Sequence, residues 1–240
     1  MQGIAEPKFI IDSNSSAHHF QFKPSQLRLL EKAELVIWID SRFENRFGQL
    51  NDVLKSNTKQ LEIMPELDTG NQFNGHIWLS PTLLVKSISL VRDALIKLDP
   101  VNRGNYRRNA DLLSLEIQQW AKNTERRFSG ITPSYVLEHD FLYHFEQDFR
   151  LQSVAVLRDS HDQNKSIRDL KRLEKTLVSQ KIRCILITHS PASKLAQQLA
   201  EKYQLKLIQV DILGQQVNND QQSIIDILQS LSDAMFQCKS

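Results

Sequence analysis

Three histidines in three separate segments are the side chains of this chain best suited to act together chemically. His18 stands in Ala17-His18-His19-Phe20-Gln21-Phe22-Lys23-Pro24-Ser25-Gln26, His76 in Gly75-His76-Ile77-Trp78-Leu79-Ser80-Pro81, and His139 in Tyr135-Val136-Leu137-Glu138-His139-Asp140. Each occurs where an extended run or loop gives way to a helical pattern. In α/β proteins such junctions open on the crevice outside the carboxyl ends of the strands, where ligands bind. Three neutral imidazoles brought together there make a donor set for a borderline-soft divalent ion, zinc above all. Taken singly, a histidine at a helix start is more often a cap or a surface residue. The weight therefore lies on three matching contexts in order.

The elements that must position these side chains follow from hydrophobic patterning. Phe9-Ile10-Ile11 reads as a short buried strand, and Pro24-Ser25 opens a helix to about Ala33 with Leu27, Leu29 and Leu30 for its inner side. Leu35 to Ile39 is continuously apolar, as in a strand covered on both faces. Residues 41 to 60 read as weakly patterned helix, and Glu62 to Gly75, broken by Pro65 and Gly70, as a loop. Pro81 to Leu98 carries Leu84, Ile88, Val91 and Leu95 at helical steps, and Asp99-Pro100 ends it. A second helix, Asn102 to Arg127, sets Leu112, Leu115 and Trp120 among many polar residues, the composition of a helix that bridges two lobes. Beyond Ser129-Gly130, strands at Tyr135 to Leu137, Val154 to Leu157, Cys184 to Thr188 and Lys206 to Val210 alternate with helices near 140–149, 166–179, 191–203 and 219–236. That alternation predicts a parallel sheet. The fold class is α/β: two lobes with parallel doubly wound sheets joined by a long bridging helix, divided at 1–104, 105–128 and 129–240.

Composition excludes several function classes. The 240 residues carry 30 basic and 28 acidic side chains scattered together, for a formal charge of +2, which gives no basic face for nucleic acid. Leu35-Val36-Ile37-Trp38-Ile39 is the longest apolar run and is too short to span a bilayer. Met1 to Lys8 has no basic stretch followed by an apolar core, so this N-terminus does not read as a secretion signal; the expectation is a cytosolic chain or a mature exported form. Cys184 and Cys238 are compatible with one disulfide or with two free thiols, and no CxxC spacing suggests a thiolate metal site.

Five motifs occur in sequence order. They are Ala17-His18-His19-Phe20 with Pro24-Ser25-Gln26 and Ala33 to Trp38; Asn74-Gly75-His76-Ile77-Trp78-Leu79-Ser80-Pro81; Leu95, Asp99-Pro100, Tyr106 and Asn109; His139-Asp140 with Tyr143-His144-Phe145; and Asp211-Ile212-Leu213-Gly214. The ordered set resembles the metal-binding solute receptors of bacterial ABC uptake systems, the cluster A-I or TroA-like group, and most of all its periplasmic zinc-binding members. The resemblance implies a non-enzymatic, monomeric, periplasmic receptor that captures zinc, ahead of manganese, in an interlobe cleft. It implies delivery of the ion to an ABC transporter permease in the inner membrane. By the same likeness, His18 and His76 of the N-lobe with His139 and Asp211 of the C-lobe are the metal ligands, and Cys184 pairs with Cys238. Departures from the family pattern are the absence of a strand-helix unit ahead of the first motif, which predicts a shorter N-lobe sheet, and Asn74-Gly75 for Asp-Pro. Ser80 stands for Asp, Thr188-His189-Ser190 for Glu-Pro-Gln, and Thr69 to Asn74 contains no histidine.

Plainer roles compete for each residue. Asp211 could cap the turn before Gly214, with water as fourth ligand. His19 neighbours His18, and Glu138 or Asp140 could orient an imidazole. His144 follows His139 with a spacing that resembles a metal pair, although a partly buried surface position suits it better; His189 could add a ligand near a strand end, and His161 lies in a polar loop. Trp78 and Phe20 read as packing walls. Two other readings are a zinc hydrolase, against which stands the lack of HExxH, and a degenerate relative with weak or no metal binding that acts as an interaction partner.

Overall fold

In the computed structural model the described residues are 1, 3–11, 20–70, 73–158, 167–179, 182–214 and 224–239. The chain divides into two compact units, Met1–Gln118 and Gln119–Ser240. Among the described residues no helix is long and apolar enough to cross a membrane.

The first unit is built around a small parallel pair of strands. Helix α1 (Pro24–Leu30) starts on a proline, and Gln26 reaches back to accept the Lys23 N–H at 2.7 Å while donating to the Ile10 carbonyl at 2.6 Å. Strand β1 (Leu35–Trp38) pairs in parallel with β2 (Lys59–Glu62), with Leu35 opposite Lys59 and Trp38 opposite Glu62. Phe20, Leu30, Val36, Trp38, Phe47 and Leu50 close one apolar cluster, and Ile63, Met64, Leu67, Ile77 and Leu83 a second. Three expectations fail here. Phe9 to Ile11 forms no strand and Phe9 is 82% exposed, because three apolar residues without a ladder partner gain nothing from extending. Residues 41–60 are not a helix: turns lead to a 3-10 segment, Phe47–Asp52, and then to β2, whose Lys-Gln-Leu-Glu sequence carries one apolar side chain and no strand signal. Finally, β1 is covered on one face only, since Ile37 is partly exposed between buried Val36 and Trp38.

Helix α2 (Pro81–Leu98) matches the predicted span. It turns into α3 (Arg103–Phe128) through a polar corner, where Asp99 accepts from Asn102 Nδ2 at 2.8 Å and from the Tyr106 hydroxyl at 3.0 Å. The Asn102 bond first, with Tyr106 adding, holds the Asp99 carboxyl below its usual range. The Asp-Pro…Tyr motif therefore has a local structural cause: it fixes the angle between two helices. Helix α3 continues past Gln118 into the second unit.

The second unit is a four-stranded, all-parallel sheet in the order β4-β3-β5-β6, from β3 (Tyr135–His139), β4 (Ala155–Arg158), β5 (Cys184–Ile187) and β6 (Lys206–Gln209). Helices α4 (Tyr143–Phe149), α5 (Ile167–Ser179), α6 (Lys194–Tyr203) and α7 (Ile224–Phe236) alternate with the strands. The two central strands are almost continuously buried, the pattern expected of parallel strands covered on both faces. Leu173 and Leu177 of α5 and Ala196, Leu199 and Ala200 of α6 pack on Val136, Ile185 and Ile187. Because β3 leads outward to β4 and the chain then returns to β5, the strand order reverses between β3 and β5. The disulfide Cys184–Cys238 ties the C-terminus to β5, and the Ser134 N–H bonds the Cys238 carbonyl at 3.0 Å beside it.

Candidate metal centre

His76 is held in the first unit by its own turn and by rings. Asn74 and His76 are both buried. Asn74 Oδ1 lies 3.0 Å from the His76 backbone nitrogen and 2.9 Å from its Nδ1. The Phe43 ring stands edge-on to the imidazole at 5.3 Å, and the Trp78 ring lies 5.2 Å from the imidazole and 5.9 Å from Phe43. Gly75 is required by this packing, because a Cβ there would fall 2.0 Å from Phe43 Cδ2. Proline, which the resembled motif carries at this position, could not coexist with Phe43 in place. After a single 3-10 turn, Ile77–Leu79, the buried Ser80 caps α2 by accepting the Leu83 N–H at 3.0 Å. Serine thus performs the capping that an aspartate would perform there.

Phe43 is itself positioned by the turn that leaves β1. Its N–H bonds the Asp40 carbonyl at 3.0 Å, and the Asp40 carboxylate accepts from the Arg42 backbone at 2.7 Å and from Arg42 Nε at 2.9 Å. Burial opposes the Asp40 charge, but the Arg42 hydrogen bonds outweigh it and hold the carboxyl below its usual range. Glu44 closes the same turn by accepting the Ile39 N–H at 2.6 Å. Burial raises the Glu44 carboxyl despite that bond.

In the second unit His139 is the last residue of β3, with its ring 5.1 Å from that of Phe141. It therefore stands at the carboxyl end of a strand beside the topological switch point, where open parallel sheets bind ligands. The preceding Glu138 points to the opposite face, as successive strand residues must. Its Oε1 accepts the Ser193 N–H at 2.7 Å, so it fastens the start of α6 to β3. Asp211 follows β6 at the same end of the sheet, two strand spacings from β3, or about 10 Å along the ladder. Its Oδ1 accepts the Leu213 N–H at 3.2 Å, which closes the turn to Gly214. The turn-capping role is real, and a carboxylate retains further lone pairs beyond one such bond.

The remaining histidines separate clearly. His18, His19 and His161 lie outside the described residues. His144 does not share a helix with His139: the strand ends at His139, α4 begins at Tyr143, and His144 is buried against Tyr143 instead of lying at the surface. His189 is exposed, with Nδ1 2.8 Å from Thr188 Oγ1. Phe20 is a core residue packed on Phe22 and Phe47, as expected of a packing wall. Within either unit, no group of three or more His, Cys, Asp or Glu side chains among the described residues is gathered as a metal site. His76 stands in the first unit, and His139 and Asp211 in the second. Sequence reasoning missed Asn74 and Phe43 as partners of His76. The Asn-Gly pair was a legible turn signal, whereas nothing in the sequence connects Phe43 to Gly75.

Comparison with known proteins places these observations. The family profile for ZnuA, the periplasmic component A of zinc-uptake complexes, matches residues 1–238. The high-affinity zinc uptake system protein ZnuA of Yersinia pestis is 21% identical over 270 residues, covering 98% of this chain and 85% of that protein. Among solved structures, the AdcAII protein of Streptococcus pneumoniae superposes with a TM-score of 0.82 at 22% identity, covering 95% of this chain and 89% of its own. A Mn-bound mutant of a periplasmic metal binding protein from Candidatus Liberibacter asiaticus gives 0.78 at 21% identity, covering 95% and 90%. At these identities the structural likeness establishes the shared α/β fold.

Proposed function

This chain belongs to the ZnuA family, the periplasmic component A of zinc-uptake complexes, and on that footing we propose that it captures a zinc ion and delivers it to an ABC permease. The observation that carries this reading is His139 at the carboxyl end of β3, beside the strand reversal, on a chain that also buries an oriented His76. The proposed ligands are His18, His76 and His139, with Asp211 or a water as fourth. Three imidazole nitrogens favour zinc over manganese, which prefers oxygen donors, although one relative is a manganese-bound protein. With Asp211 as the fourth donor, the shell is made of protein groups alone and suits capture and release. Such a shell leaves no open position for the activated water that a zinc hydrolase needs, and the chain carries no HExxH to serve one. The Cys184–Cys238 disulfide fits an oxidising compartment such as the periplasm.

Titrating metal-stripped protein with zinc against a chromophoric chelator tests the proposal. One ion per chain is expected. Free zinc a hundredfold above Kd should stabilise the fold by about 2.7 kcal/mol, a rise in Tm of about 5–10 °C for a chain of this size. His76→Ala and His139→Ala should each abolish that rise. An unchanged rise in both variants would refute the ligand assignment, and weak, non-stoichiometric binding by the unmodified chain would favour a degenerate relative.

A further inference from the structure

We infer that Asn74 is the positioning residue that fixes the tautomer of His76, so that Nδ1 carries the proton and Nε2 is the metal donor. The inference rests on the reading of His76 as a zinc ligand and adds which nitrogen binds and what selects it. The His76 backbone N–H can only donate, so the Asn74 amide atom 3.0 Å from it must be the oxygen. That oxygen only accepts. The ring nitrogen 2.9 Å from the same oxygen must therefore carry a hydrogen. A neutral imidazole protonated on Nδ1 has its remaining lone pair on Nε2.

The surroundings hold this orientation. Turning the ring over would place a carbon against Asn74 Oδ1 and lose the bond. The Phe43 ring, at 78° to the imidazole, and the Trp78 ring, at 49°, pack against it and against each other. Gly75 lets Phe43 approach the backbone between Asn74 and His76. Asn74 thus does with a neutral amide what carboxylates and carbonyls do for metal-bound histidines generally. The aspartate-to-asparagine departure in this motif preserves the acceptor.

Selective 15N-histidine labelling of the full metal-free chain at mildly alkaline pH reads the tautomer directly. The expected spectrum shows a protonated Nδ1 and an unprotonated Nε2 for His76. Asn74→Ala should lose that preference and bind zinc about 10–100-fold more weakly, while Asn74→Asp, which keeps the acceptor, should retain both. A wild-type ring protonated on Nε2 overturns the inference, and this reading needs no variant to fold. If Asn74→Ala binds zinc like the wild type while His76→Ala does not, the positioning role is overturned and the ligand reading stands. If His76→Ala binds zinc like the wild type, the ligand reading itself falls.

Discussion

At the scale of single residues, the motif around His76 is a packing unit as much as a chemical one. Gly75 has its identity because Phe43 occupies the space of its missing Cβ. Gly75→Ala should therefore destabilise the first unit by about 1–3 kcal/mol, the usual cost of overpacking. Adding Phe43→Leu should recover part of that loss, so that the double variant falls short of the sum of the singles. Urea midpoints of the three variants decide this, and strict additivity would show that the two residues do not compete for space. Ser80 bears on the same motif: Ser80→Ala should cost about 1 kcal/mol through the lost cap on α2. A different residue sets a pH dependence. Burial lifts the Glu146 carboxyl above its ordinary 4.5, against the bonds from Tyr135 and Ser153 that favour the anion. The folded chain then holds this proton more tightly than the unfolded chain does. The stability it contributes is full below pH 4.5 and is lost as pH rises through the raised folded value. Glu146→Gln should flatten that decline in a series of urea midpoints from pH 4.5 to neutrality. An unaltered slope would assign the decline to other groups.

At the scale of elements, what could be read from the sequence depended on how much apolar signal each element needs. Strands β3 and β5 are enclosed by helices and need apolar runs, so Tyr135-Val136-Leu137 and Cys184-Ile185-Leu186-Ile187 announce themselves. Helix α2 was legible for a similar reason, with Pro81 and Asp99 marking its ends. Strand β2 was not, since Lys59, Gln60 and Glu62 carry no core signal and only the ladder with β1 makes it a strand. Of the proposed site, the histidines and Asp211 were legible by type and context. The Asn74 bond and the Phe43 wall were not, because they depend on how distant turns pack. The disulfide is the strongest element-scale restraint. It joins residues 54 apart in sequence and ties the C-terminus, just beyond α7, to the central sheet. Replacing Cys184 and Cys238 together with alanine should lower stability by about 4 kcal/mol on the loop-entropy model. A loss well under 1 kcal/mol in denaturant unfolding would show that the hydrogen bond from Ser134 and the packing of α7 hold the terminus without it.

At the scale of the whole molecule, a near-neutral chain with mixed surface charge gives a cation little long-range attraction, so affinity has to come from the donor set. The proposed ligation by neutral imidazoles sets a pH dependence. Protons compete for the same lone pairs, so zinc affinity should fall steeply from neutral to mildly acidic pH. A flat profile in a competition titration would count against imidazole ligation. X-ray absorption at the zinc edge, on metal-stripped protein loaded with one equivalent, reads the donor set itself. Four nitrogen or oxygen donors at about 2.0–2.1 Å, with outer-sphere scattering from three imidazole rings and no sulfur, is the predicted spectrum. A six-coordinate oxygen shell without imidazole scattering, or a sulfur donor at about 2.3 Å, would contradict it.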